Sequence, residues 1–135
     1  MGDHTVFAEL LRALAREHAR TLVVGSLAKK LHGETTRCDD HCLWYDADDE
    51  NANRVYRALS RIGAELDGVS AIDLADVDYE FRHGEGDNEI CLFGGLDGVT
   101  FADAWVTRIE THWREVAICV INRDTLRAAE LAARP

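Results

Sequence analysis

The stretch TLVVGSLAKKLHG, residues 21 to 33, most narrows what this chain can fold into. Leu22, Val23 and Val24 form a short apolar run, two of its residues β-branched, of the kind that fills a buried strand. Gly25 and Ser26 follow directly, and then Leu27, Ala28 and Leu31 recur at helical spacing until Gly33 stops the pattern. A strand that passes into a helix through two small residues needs a sheet with helices laid against it. All-helical and all-β architectures are poor hosts for it.

The rest of the chain repeats that alternation. Residues 4 to 19 carry Phe7, Leu10, Leu11, Leu14 and Ala15 as a helical stripe, and CLWYD (42 to 46) is a second strand. Ala52, Val55, Tyr56, Leu59, Ile62 and Gly63 lie on one helical face behind the acidic start DADDE, whose charges suit a helix N-terminus. Residues 66 to 76 match neither period cleanly, with a short helix the nearest reading. VDYEFRH (77 to 83) and EICLFG (89 to 94), joined by the turn-rich GEGDN, predict a hairpin. Thr100 opens a helix over 100 to 110, and REVAICVI (114 to 121) is apolar on both faces near its end, as an interior strand is. Asn122 caps a closing helix. The predicted order, α-β-α-β-α-β-β-α-β-α, makes one α/β (α+β) domain over residues 1 to 135, with a mixed sheet flanked by helices.

Charge and composition exclude several function classes. The 25 acidic residues outnumber 15 basic ones, and no Lys/Arg run exists, so non-specific nucleic-acid binding is not expected. No apolar run approaches the roughly 20 residues of a membrane span, and the N-terminus has no basic start or cleavage site, so a cytoplasmic address without membrane attachment is expected. Val6 stands where a myristoylation motif needs Ser or Thr. In such a setting Cys38, Cys42, Cys91 and Cys119 are expected to be free thiols. Cys38-x3-Cys42 with His41 between them has the look of half a zinc site, but the second close pair of ligands is missing.

Three segments together carry a family resemblance: LVVGSLAKKLHG, TTRCDDHCLWYD, and GLDGVTFADAWVTRIE with the later AICVINRDTLRAAELAARP. The chain resembles the nucleotidyltransferase fold, and within it the small bacterial nucleotidyltransferase-like proteins related to AbiE-type toxins. The resemblance runs through nearly the whole chain and is firmest at 22 to 45 and 90 to 121. It implies a nucleotide-binding turn at Gly25 and Ser26, with Arg37 helping to position phosphates. It also implies three carboxylates on neighbouring strands that hold two magnesium ions and carry an NTP through transfer with loss of pyrophosphate. On their own residues, Gly25-Ser26 read equally as a strand-to-helix turn with Ser26 as N-cap, and His32-Gly33 as a helix C-cap with a packed histidine. The family chain runs on past Arg134-Pro135 into another helix, which a protein partner or a second copy in a homodimer is the candidate to supply here.

The sequence then departs from the family. The first carboxylate position falls on Asp40, but the second holds Cys42 and the third Cys91, and the closing helix lacks the family's lysine. Thiols are soft ligands and poor partners for magnesium. Three readings follow. The domain keeps the fold, with nucleotide or partner binding and weak or no transfer, and needs no cofactor. Alternatively, Asp39 and Asp40, joined by Asp78 or Glu80, restore an acidic set, and the protein is an active magnesium-dependent transferase. In the third, Asp40, Cys42 and Cys91, or Cys42, Cys91 and His41, make a soft-metal or thiol site. Against that stands the ordinary burial of free cysteine, and His41 faces away from Cys42 by strand alternation.

Overall fold

The computed structural model describes residues 5–36 and 40–133, apart from the side chain of Asp87. Helix α1 (Thr5–Arg16) leads to strand β1 (Thr21–Val24), which passes without a gap into α2 (Gly25–Leu31). Strand β2 (His41–Tyr45) precedes α3 (Asp49–Arg61) and the single-turn α4 (Ala71–Leu74). Strands β3 (Glu80–His83) and β4 (Ile90–Phe93) are joined through a 3-10 turn at Gly86–Asn88. Helix α5 (Phe101–Val106), strands β5 (Ile109–Trp113) and β6 (Val116–Val120), and helix α6 (Arg123–Ala133) complete the order.

The six strands form one mixed sheet in the order β3-β4-β2-β1-β6-β5. β2 runs parallel to β4 and β1 parallel to β6; the other neighbours are antiparallel. Every residue of β2 is buried, as expected of a strand between two others and covered on both faces. His41, Leu43 and Tyr45 point one way, where the His41 ring stacks on Phe7 of α1 with centroids 4.6 Å apart. Asp40, Cys42 and Trp44 therefore point the other way, and Trp44 meets Phe101 of α5 edge to face at 5.2 Å.

α1 and α3 pack together and supply much of the apolar core through Phe7, Leu10, Leu14, Ala52, Val55 and Leu59, all nearly inaccessible. Asp48 caps α3 by accepting from the Asn51 amide at 2.7 Å, which places the sequence's acidic start at the positive end of that helix. The caps expected at Thr100 and Asn122 are also present: their side chains accept from the Asp103 and Thr125 amides.

Two expectations are corrected. The helix expected over 100 to 110 ends at Val106, and Ile109–Trp113 form an edge strand paired antiparallel with β6. The hairpin turns at Arg114 and Glu115, both at positive φ, 50° and 66°, the pattern of a type I′ turn. The strand expected from 77 starts only at Glu80, because residues 76–79 close a turn in which the Tyr79 amide donates to the Asp76 carbonyl.

Candidate functional site

The site begins where β1 ends. Gly25 sits at φ 71°, in the left-handed region that glycine enters without strain. A Cβ built there would lie 2.8 Å from Asp40 Oδ1, so the position also needs glycine for space. Ser26, 7% exposed, is not the N-cap: Val24 holds that place, with no side-chain bond. Instead the Ser26 amide donates to Asp40 Oδ1 at 2.9 Å, and its hydroxyl donates to the same oxygen at 2.7 Å. The Asp40 amide in turn donates to Ser26 Oγ at 2.9 Å. Donors that a phosphate would use are thus turned onto a carboxylate of the same chain.

Strand alternation and register complete the group. Cys42 shares the face of Asp40, and the parallel β2–β4 register sets Cys42 directly opposite Cys91. The antiparallel β3–β4 register sets Arg82 opposite Cys91 on the other side. Arg82 Nη1 lies 2.9 Å from Cys91 Sγ and 3.2 Å from Glu89 Oε1, and Arg82 also pairs with Glu80. Burial pushes the Cys42 thiol well above the ordinary range, and the Asp40 carboxylate and the neighbouring Cys91 push it further. Burial raises the Cys91 thiol as well, with the Arg82 guanidinium opposing it. Both thiols are therefore protonated at neutral pH.

The structure thus brings together Asp40, Cys42 and Cys91, with Gly25 and Ser26 against the first. Asp78 is not part of the group. It precedes β3, whose Glu80 pairs with Phe93 at one end of β4, whereas His41, next to Asp40, pairs with Ile90 at the other. Five to six residues of strand separate the two acids, on the order of 15–20 Å. Nor does His41 join the thiols, since its ring is on the α1 face. Arg37, Cys38 and Asp39 lie outside the described residues. His32 is the packed histidine of the second reading: its Nε2–H donates to the Ile121 carbonyl at 2.7 Å, and Arg123 donates to the His32 carbonyl.

A two-magnesium centre does not fit these residues. One carboxylate already holds two hydrogen bonds, two neutral thiols stand at the other positions, and a guanidinium adjoins them. Hard divalent ions take oxygen ligands and are repelled by a nearby cation. Among the described residues no three His, Cys, Asp or Glu side chains converge as a metal site.

Arg82 was not legible as a neighbour of Cys91, because only the β3–β4 register sets the two opposite each other, whereas Glu89 lies two residues before Cys91 and shares its face by strand alternation. A second feature lies farther along the same sheet face: a cavity of about 510 Å³ between Trp44, Tyr79, Phe93 and Phe101.

No family model and no curated protein matches the chain. Among solved structures, one described as a "putative nucleotidyltransferase" from Thermotoga maritima is similar over 94% of this chain and 81% of that one, with a TM-score of 0.64 and 16% sequence identity. The fold is therefore nucleotidyltransferase-like: a mixed six-stranded sheet flanked by helices, with the Gly25-Ser26 turn and the β2–β4 pair beside it. Among the described residues no helix is long and apolar enough to cross a membrane.

Proposed function

We propose that this chain is a nucleotidyltransferase-fold protein with a degenerate carboxylate centre, acting by nucleotide or partner binding with little or no nucleotidyl transfer. The observation that carries this reading is the register of Cys42 against Cys91 beside Asp40. Asp40, Cys42 and Cys91, which the resemblance aligns with the family's three carboxylates, lie on one sheet face, and two of them are thiols raised by burial. Arg82, set 2.9 Å from Cys91, supplies the positive charge that a metal would otherwise bring. The relationship to AbiE-type toxins belongs to the same reading. It is supported by the Leu-His-Gly segment after the turn and by the GLDGVTF stretch that follows β4.

The active-enzyme alternative loses its support with Asp78 at the far end of β3 and β4. The soft-metal alternative gains no histidine, and among the described residues no three such side chains converge to hold an ion. The test is to incubate the protein with each NTP and magnesium, following thermal stability and pyrophosphate together. We expect at least one nucleotide to raise Tm with no pyrophosphate above the protein-free control. Pyrophosphate release by the wild-type chain contradicts the degenerate reading. Failure of every NTP to shift Tm removes nucleotide binding from it.

A further inference from the structure

Strand β5 forms one edge of the sheet, at the opposite end from β3. It pairs with β6 residue for residue, from Ile109 opposite Val120 to Trp113 opposite Val116, with no bulge. Its sequence IETHW holds neither Pro nor Lys, residues that commonly blunt an exposed edge, and Ile109, Glu110 and His112 are exposed. The two-residue turn at Arg114 and Glu115 makes Trp113 and Val116 a hydrogen-bonded pair of the hairpin. By alternation Thr111 and Ile109 also bond to β6, which leaves the amides and carbonyls of Glu110 and His112 directed away from the sheet. An added strand would meet those groups.

The side chains at this edge complement themselves. An antiparallel second copy of β5 must set outward-bonding residues opposite one another, which allows three registers. One opposes Glu110 to Glu110, which is destabilising. Another opposes His112 to His112 and calls on Arg114, which has left the strand at a φ of 50°. The third sets Glu110 of each copy opposite His112 of the other. It also sets Ile109 opposite Trp113 in each direction and Thr111 opposite itself. Opposite-charge, aliphatic–aromatic and Thr–Thr pairs all stabilise antiparallel strands, and each Glu–His pair exchanges both backbone hydrogen bonds. The charges are available for this pairing. Glu110 has Arg108 only at 3.9 Å, and His112 has no ion pair among the described residues. At the β3 edge, by contrast, Arg82 is already held by Glu80, Glu89 and Cys91.

We propose that two copies of this chain join edge to edge through β5, antiparallel about Thr111, so that their sheets become one. The interface is isologous, with Glu110 of each copy against His112 of the other. β1 and β6 lie between this edge and the Asp40–Cys42–Cys91 group, so pairing leaves that group free in both copies. The inference is independent of what the group binds.

Sedimentation equilibrium over about 10 μM to 1 mM, without nucleotide or metal, tests it. One five-residue strand makes a small interface, so a reversible monomer–dimer equilibrium with Kd in that range is expected. His112→Glu, which opposes acid to acid, should weaken it about tenfold, and Glu110→Lys severalfold. The double variant Glu110→Lys, His112→Glu restores opposite charges at both pairs and should return to within about threefold of the parent. Glu110→Lys carries less net negative charge than the double variant, so recovery cannot come from net charge. Both residues are exposed, and an unchanged Tm would verify folding. Position is read by cross-linking with oxidised glutathione, which takes two electrons and two protons from a pair of thiols. Thr111→Cys puts two thiols on Cα atoms about 4.5 Å apart and should give a disulfide-linked dimer. Ile109→Cys, with its copies on the order of 14 Å apart, should give no more than the parent. A monomer at every concentration, association indifferent to the single charge variants, or no recovery in the double variant overturns the proposal. So does cross-linking of Thr111→Cys no better than that of Ile109→Cys.

Discussion

Ser26 shows how the partner of a turn residue can lie beyond the reach of local sequence. Its position at the β1–α2 turn was readable from Gly-Ser after an apolar run, but its partner was not. Asp40 is fourteen residues away, and only the antiparallel pairing of β1 with β2, Val24 opposite Cys42, brings it to the turn. Because Ser26 Oγ both donates to the Asp40 carboxylate and accepts from its amide, Ser26→Ala removes two hydrogen bonds from a buried position. The expected cost is about 1–3 kcal/mol, measured as a lower urea midpoint with unchanged slope. A cost near zero would mean that water replaces the hydroxyl and that the turn is open to ligands.

At the scale of elements, legibility followed how much of a segment's burial shows in its own sequence. β1, β2 and β4 are buried on both faces and were found close to their true ends, because Leu22, Leu43 and Leu92 sit in continuous apolar runs. β5 was not found. Its sequence IETHW has three consecutive polar residues on an edge strand and so no alternation to read, and the turn beyond it uses Arg114 and Glu115 at positive φ where Gly or Asn would have signalled a hairpin.

The start of α3 hides a further connection. Asn51, 1% exposed, accepts from the Arg20 amide at 2.7 Å and donates to the carbonyls of Asp46 at 2.8 Å and Arg20 at 3.1 Å. It therefore ties the entry of β1 and the exit of β2 to the first turn of α3. Asn51→Ala leaves three backbone groups without this partner and should lower unfolding free energy by about 2–4 kcal/mol. Removing the exposed end of the same network, with Asp48→Ala, should cost only about 1 kcal/mol. Chemical denaturation of the two variants side by side checks the ranking, and equal losses would contradict it.

At the scale of the whole molecule, the proposed reading sets the chemistry apart from the fold. The mixed six-stranded sheet is that of a nucleotidyltransferase-like fold, while the residues that the resemblance aligns with metal positions are a carboxylate tied to serine and two thiols raised by burial. The sequence allowed the spacing from His32-Gly33 to Asp40 and Cys42 to be counted, and it was on that count that the resemblance aligned them. It could not reveal that Arg82 stands beside Cys91, or that Asp78 falls at the opposite end of the strands from Asp40, because both depend on the register of an edge strand.

The most direct measurement compares magnesium binding by the wild-type chain and the Cys42→Asp, Cys91→Asp double variant, by calorimetry in the presence of one NTP. Cys91→Asp alone, whose carboxylate can pair with Arg82, serves as the control for folding. The wild type should take up no magnesium beyond that of the NTP itself, while the double variant should gain a saturable magnesium-dependent signal. Equal magnesium binding by both proteins, or none in a folded double variant, would contradict the claim that the two thiols are what silences the site.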